Sequence, residues 1–143
     1  VLMNDEDKPV YPELMEERNK LLIKMVNHIL EDIDSSNYKY GCSLNSLVYR
    51  IRQCIDEWGI SEIIVPEMLN TAAIYTVLIE DGYITKDPGS WCRYDCQVTE
   101  KGWVIGISKK QREDGGTYLM LSRLAVNMVM DSIRSGRFLM EDE

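Results

Sequence analysis

The stretch from Leu78 to Gly102 most constrains what this chain can fold into, because there a helical pattern runs straight into a hairpin. Gly82 is placed to stop a helix, and Tyr83 and Ile84 open a β-prone run. Lys86-Asp87-Pro88-Gly89-Ser90 is a turn by composition, since proline and glycine preset the dihedrals of a chain reversal. Trp91 to Val98 reads as the returning strand, with Cys92, Tyr94, Cys96 and Val98 alternating on one face. Thr99 then caps a short turn carrying Trp103, Val104 and Ile105.

The segments upstream supply helices. From Glu13 to Asp34, Leu22, Met25, Val26, Ile29, Leu30 and Ile33 recur at three- and four-residue spacing and form one apolar stripe. Glu13, Glu16 and Glu17 lie in the first turns, where the helix dipole favours negative charge. His28 sits beside the stripe as a boundary residue. Residues 35–42 read as a polar loop, after which Ser43 is an N-cap for Leu44, Leu47, Val48, Ile51, Ile55 and Trp58. Gly59 ends that helix in a left-handed cap, and Asn45, Arg50, Arg52 and Gln53 mark its polar side. Ser61–Val65 is a connector, and a third helix begins at Pro66 or Asn70 and runs to about Asp81.

Beyond the hairpin, Lys109–Asp114 is strongly polar and Asp114-Gly115-Gly116 is a turn. Thr117–Leu121 is β-prone, and Ser122 caps a last helix lined by Leu124, Ala125, Met128, Val129 and Ile133 and ended by Gly136. The predicted order is helix, helix, helix, strand, strand, short helix, strand, helix. That is an α+β, mostly helical fold: a winged helix-turn-helix core with a β-hairpin wing, an extra N-terminal helix and a C-terminal helix. One domain spans 13–138, made of the first helix (13–34), the helix-turn-helix with its wing (43–107), and a third strand with the last helix (117–135). Residues 1–12 are expected to be a flexible tail and 139–143 an acidic one.

A chain of 143 residues can bury a single core without metal or disulfide help. No apolar run approaches the roughly 20 residues that span a bilayer, and no leader-like segment opens the chain, so a cytoplasmic protein without membrane contact is expected. Cys42, Cys54, Cys92 and Cys96 then stay reduced. Cys92 and Cys96 have the spacing of half a zinc site, but the other two ligands are not at hand, and His28 is the only histidine. The cysteines read better as small hydrophobes, and neither metal nor cofactor is expected. With no phosphate loop and no base beside a nucleophile, neither is catalysis.

The run Leu78-Ile79-Glu80-Asp81-Gly82-Tyr83-Ile84, a hairpin, and then Val98-Thr99-Glu100-Lys101-Gly102 resembles winged-helix regulators. The continuation Trp103-Val104-Ile105-Gly106-Ile107, with Arg112, Gly116-Thr117-Tyr118 and a final helix, is similar to the C-terminal domain of phage antirepressors and related DNA-associated accessory domains. The likeness covers roughly residues 43–134. It implies a phage-related regulator that acts on DNA or on a DNA-bound partner.

Charge pulls against that implication. The chain carries a net charge of −8, and the segment Ser61–Thr85 has Glu62, Glu67, Glu80 and Asp81 but no Lys or Arg. Phosphate affinity comes from clustered cations, so the helix that should read bases offers only Asn70, Thr71, Tyr75 and Thr76. Between Lys86 and Gly116 the balance is +1, with Lys86, Arg93, Lys101, Lys109, Lys110 and Arg112 against five acids. These cations either track a nucleic-acid backbone or solvate an ordinary hairpin. Met68, Leu69, Ala72, Ala73, Ile74, Val77, Leu78 and Ile79 leave the third helix so apolar that it must be buried or form an interface.

Three functions compete. The first is a winged-helix regulator that binds DNA or a DNA-binding protein. The second is an acidic inhibitor of a host nucleic-acid enzyme, in the manner of anti-CRISPR proteins, presenting Glu13, Glu16, Glu17, Glu67 and Glu80 to a basic host protein. The third is a homodimeric adaptor without nucleic-acid contact.

Overall fold

The computed structural model describes residues 12–89 and 95–139. Helix α1 (Pro12–Asp34) leads through a turn to strand β1 (Gly41–Ser43) and helix α2 (Leu44–Trp58). A 3-10 turn (Pro66–Leu69) precedes α3 (Thr71–Glu80), and the hairpin β2 (Ile84–Lys86) and β3 (Cys96–Val98) follows. Then come α4 (Glu100–Val104), β4 (Ile107–Gln111), β5 (Thr117–Ser122), α5 (Arg123–Arg134) and a final 3-10 turn, Arg137–Leu139. Among the described residues no helix is long and apolar enough to cross a membrane.

The helix ends follow from single side chains. Ser43, Asn70, Thr99 and Ser122 each accept a hydrogen bond from a backbone N–H three residues on, satisfying a donor that the first helical turn would leave unpaired. Gly59 closes α2 at φ 66°, in the left-handed region that favours glycine.

The apolar stripes meet in one core. Leu22, Met25 and Ile33 of α1, Leu47, Ile51 and Ile55 of α2, and Val126, Met130 and Ile133 of α5 are all fully buried. They pack with Ile107, Leu119 and Leu121 from the sheet. The connector before α3 joins them, for Ile64 is fully buried and Ile63 half-buried against the core, although Val65 is exposed.

Two strands depart from the predicted order. The polar loop ends at Tyr40, because Gly41 and Cys42 belong to β1. The polar run from Lys109 begins inside β4, which lasts to Gln111. The sheet order is β1-β5-β4, all antiparallel, with Cys42 opposite Leu121 and Lys110 opposite Tyr118. The hairpin that follows α3 is a separate two-stranded sheet, with Ile84 opposite Val98 and Lys86 opposite Cys96. A close backbone approach explains where β1 pairs. A Cβ on Gly41 would stand 2.3 Å from the Leu121 carbonyl oxygen, so only glycine brings that edge against β5.

Candidate functional site

The two hairpins lie side by side. Lys109 Nζ donates to the Cys96 carbonyl at 2.9 Å, fastening β4 to β3, and Lys86 sits opposite Cys96 in the neighbouring strand. Cations from two separate segments therefore lie on neighbouring hairpins. Strand alternation gives them different tasks. Lys109 shares a face with Ile107, opposite buried Leu119, whereas Lys110 lies on the other face opposite Tyr118. The Arg112 guanidinium stands 5.4 Å from the Tyr118 ring centroid, a cation–π distance, so Lys110, Arg112 and Tyr118 make one cluster near the β4–β5 turn. Arg112 and Gly116 close that turn through a 2.7 Å backbone hydrogen bond.

Lys101 is occupied elsewhere. Its ammonium donates to the Asp81 carbonyl at 2.8 Å and lies 4.8 Å from the Tyr83 ring, clamping α4 to the end of α3. Of the six predicted backbone-tracking cations, the five described are all exposed; Lys101 and Lys109 spend their ammonium groups on backbone carbonyls, and Arg112 lies against Tyr118. Arg93 lies outside the described residues.

The predicted base-reading residues are placed less favourably. Tyr75 is only 6% exposed and belongs to the core, because its position on α3 faces inward with Ile74 and Leu78. Its ring is not presented to a groove. Asn70 Oδ1 accepts from Ala73 N at 2.8 Å as the cap of α3, and Thr76 Oγ1 donates to the Ala72 carbonyl at 3.0 Å. Thr71 is half-buried beside them. The apolar excess of α3 is accounted for by cover from the C-terminal region: Val77, Leu78, Met128, Val129 and Phe138 line one small cavity between α3, α5 and the last 3-10 turn.

The predicted acidic surface divides in the same way. Glu80 and Asp81 are held by Arg137, whose guanidinium reaches them at 3.0 and 2.8 Å. These hydrogen bonds, the one with Asp81 foremost, raise the Arg137 pKa further. Glu16, Glu17 and Glu67 are exposed, and the Glu13 side chain lies outside the described residues. His28 is exposed, with its ring centroid 5.4 Å from that of Trp58.

No protein-family model, curated protein or solved structure matches this chain.

Three of the cysteines are buried free thiols, and the fourth, Cys92, lies outside the described residues. Burial pushes the Cys54 thiol up to about 11, helped by the nearby charges of Glu57 and Asp32. Burial also raises Cys42 and Cys96 against the opposing pull of Arg50 and Lys109 respectively. A thiol that resists ionisation is a poor nucleophile and a poor metal ligand.

Several residues with roles here carry no sequence signal. Tyr118 joins the cation cluster only through cross-strand register, and Arg137 meets Glu80 and Asp81 across more than fifty residues. Trp103 and Val104 stand out at 70% and 76% exposure, although their apolar character alone would bury them.

Proposed function

We propose that this chain is a non-enzymatic, winged-helix-type binding protein, phage-related as its resemblance implies, whose hairpin end contacts DNA. The observation that carries this reading is the exposed pair Lys110 and Arg112 on one face of β4, in a hairpin that Lys109 fastens to the one carrying Lys86. The order α2, turn, α3, hairpin is that of a helix-turn-helix followed by a wing. Charge distribution adds to it. Residues 12–81 hold 12 carboxylates and 6 cations, a balance of −6, whereas residues 86–116, which span both hairpins, hold 5 and 6, a balance of +1. The acids nearest the hairpins on α3, Glu80 and Asp81, are paired with Arg137 and oppose a phosphate less than their count implies.

Fluorescence anisotropy with a labelled duplex at low salt tests the proposal. Affinity should fall with salt, and Lys110→Glu with Arg112→Glu should abolish binding without unfolding the chain. Binding that survives this double charge reversal, or no binding at low salt, contradicts it.

A second reading rests on one observation, the exposure of Trp103 and Val104. Adjacent exposed apolar side chains of this size favour a protein contact, with a DNA-bound partner, a basic host protein or a second copy. Trp103→Ser should then weaken self-association in sedimentation equilibrium or abolish capture of the partner. An unchanged monomer that captures nothing in either form removes this reading.

A further inference from the structure

We infer that the polar loop before β1 and the outer side of α2 bind unpaired nucleobases, a site for single-stranded nucleic acid apart from the hairpins. Acid is locally missing from an otherwise acidic half of the chain. Residues 35–55 form the longest run without Asp or Glu, and they hold Lys39, Arg50 and Arg52. The nearest acids upstream are engaged, Asp32 by Arg50 and Asp34 by Arg123. The same run contains Tyr38, Tyr40 and Tyr49, the three exposed tyrosines among the described residues.

The fold joins loop and helix at Arg50. From α2 its guanidinium stands 5.3 Å from the Tyr38 ring centroid, and the Lys39 ammonium stands 5.3 Å from that of Tyr40. The loop is tied down beneath them. Ser36 Oγ donates to the Ile33 carbonyl at 2.9 Å and accepts from Tyr38 N at 3.0 Å, and Gly41 N donates to the Tyr38 carbonyl at 2.9 Å. At about 100° per residue, Tyr49 points outward between Arg50 and Arg52. It lines one shallow groove with Arg52 and Gln53, whose far end is closed to phosphate by Asp56 and Glu57. Open rings beside cations are the two parts of a single-strand site: bases stack on the rings, and the cations hold the phosphates between them. Tyr40 and Tyr49 are 80% and 66% exposed, so each offers a face to a base. Duplex bases keep their faces inside the stack, so this surface suits an unpaired strand.

The test is anisotropy of the full chain at low salt with labelled strands of about 12 nucleotides: thymine DNA, uridine RNA, and a base-free strand with the same phosphates. At least one base-bearing strand should bind about tenfold or more tightly than the base-free strand, and the tighter of the two assigns DNA or RNA. Tyr40→Ala and Tyr49→Ala should each weaken binding about fivefold or more, whereas Tyr49→Phe, which keeps the ring, should bind as the parent does. Arg52→Gln should flatten the salt dependence of log affinity by about 0.7. Trp103→Ser, and Lys110→Glu with Arg112→Glu, should leave this binding unchanged, which separates the site from the hairpin contact. Equal binding of the base-free strand, or no binding to any strand, overturns the inference. So does loss of binding on changing Trp103 or the hairpin cations while the tyrosine variants bind as the parent does.

Discussion

Thr99 shows how much one side chain can hold at this fold's junction. Its hydroxyl lies 2.6 Å from the Gly82 carbonyl and 2.9 Å from that of Tyr83, and it accepts from Gly102 N at 3.2 Å. The helix stop, the first strand of the hairpin and the cap of α4 therefore share one oxygen. Thr99→Ala should cost about 1–2 kcal/mol in urea unfolding, with Thr99→Ser restoring most of it. Gly102 is equally constrained, because a Cβ there would stand 2.2 Å from the Tyr83 carbonyl oxygen and 2.9 Å from Val98 Cγ1. Gly102→Ala should destabilise by about 1–3 kcal/mol through overpacking, and an unchanged unfolding midpoint would show that the backbone yields there. The Thr99 cap was legible in the sequence, since Thr-Glu-Lys-Gly is a local signal. The clash at Gly102 was not, because its neighbours come from the preceding strand.

Cys54 gives a pH prediction at the same scale. Folding raises its thiol from the ordinary 9.0 to about 11, so the folded chain holds the proton more tightly than the unfolded chain does. The stabilisation is complete below about pH 9 and is lost as pH climbs towards 11. Unfolding midpoints should therefore fall more steeply over that window in the parent chain than in Cys54→Ala. Parallel curves would count against a buried neutral thiol.

At the scale of elements, the long helices were readable because each carries its own period and caps. Ser43 and Gly59 delimit α2 in the structure as they do in the sequence. The strands β1 and β4 were not readable. Gly41-Cys42-Ser43 is too short to show alternation, and Lys109-Lys110-Gln111 is polar on both faces. Both exist because β5, with Leu119 and Leu121 buried, supplies a template that pairs on each edge. The apolar excess of α3 was legible, but its cause was not, since Met128 and Phe138 arrive from the far end of the chain.

The same distinction sorts the cations. Lys109→Ala should loosen the contact between the hairpins and lower stability by about 0.5–1.5 kcal/mol, through the lost bond to the Cys96 carbonyl. Lys110→Ala, on the outward face, should leave stability within about 0.5 kcal/mol and weaken DNA binding instead. Paired measurements of unfolding and anisotropy on the two variants check this. A reversed pattern would mean that the assignment of faces in β4 is wrong.

For the whole molecule, the net charge of −8 conceals a polarity. The helical portion up to Asp81 carries the acid, and the hairpins with α5 carry a positive surplus. The net value alone argues against nucleic acid, and the exposed Lys110 and Arg112 mark the β4–β5 turn as the place to test for contact. The sequence already held these counts, but only the fold shows that Lys86 and Lys110 come from neighbouring hairpins.

The most direct test is a heteronuclear NMR titration of the full chain with a short duplex at low salt. The account predicts amide shifts concentrated in β2, β3, β4 and the β4–β5 turn, with Lys86, Lys110 and Arg112 among the largest, and α1 unmoved. Shifts confined to α1 or α2, or a spectrum unchanged at saturating duplex, would contradict it.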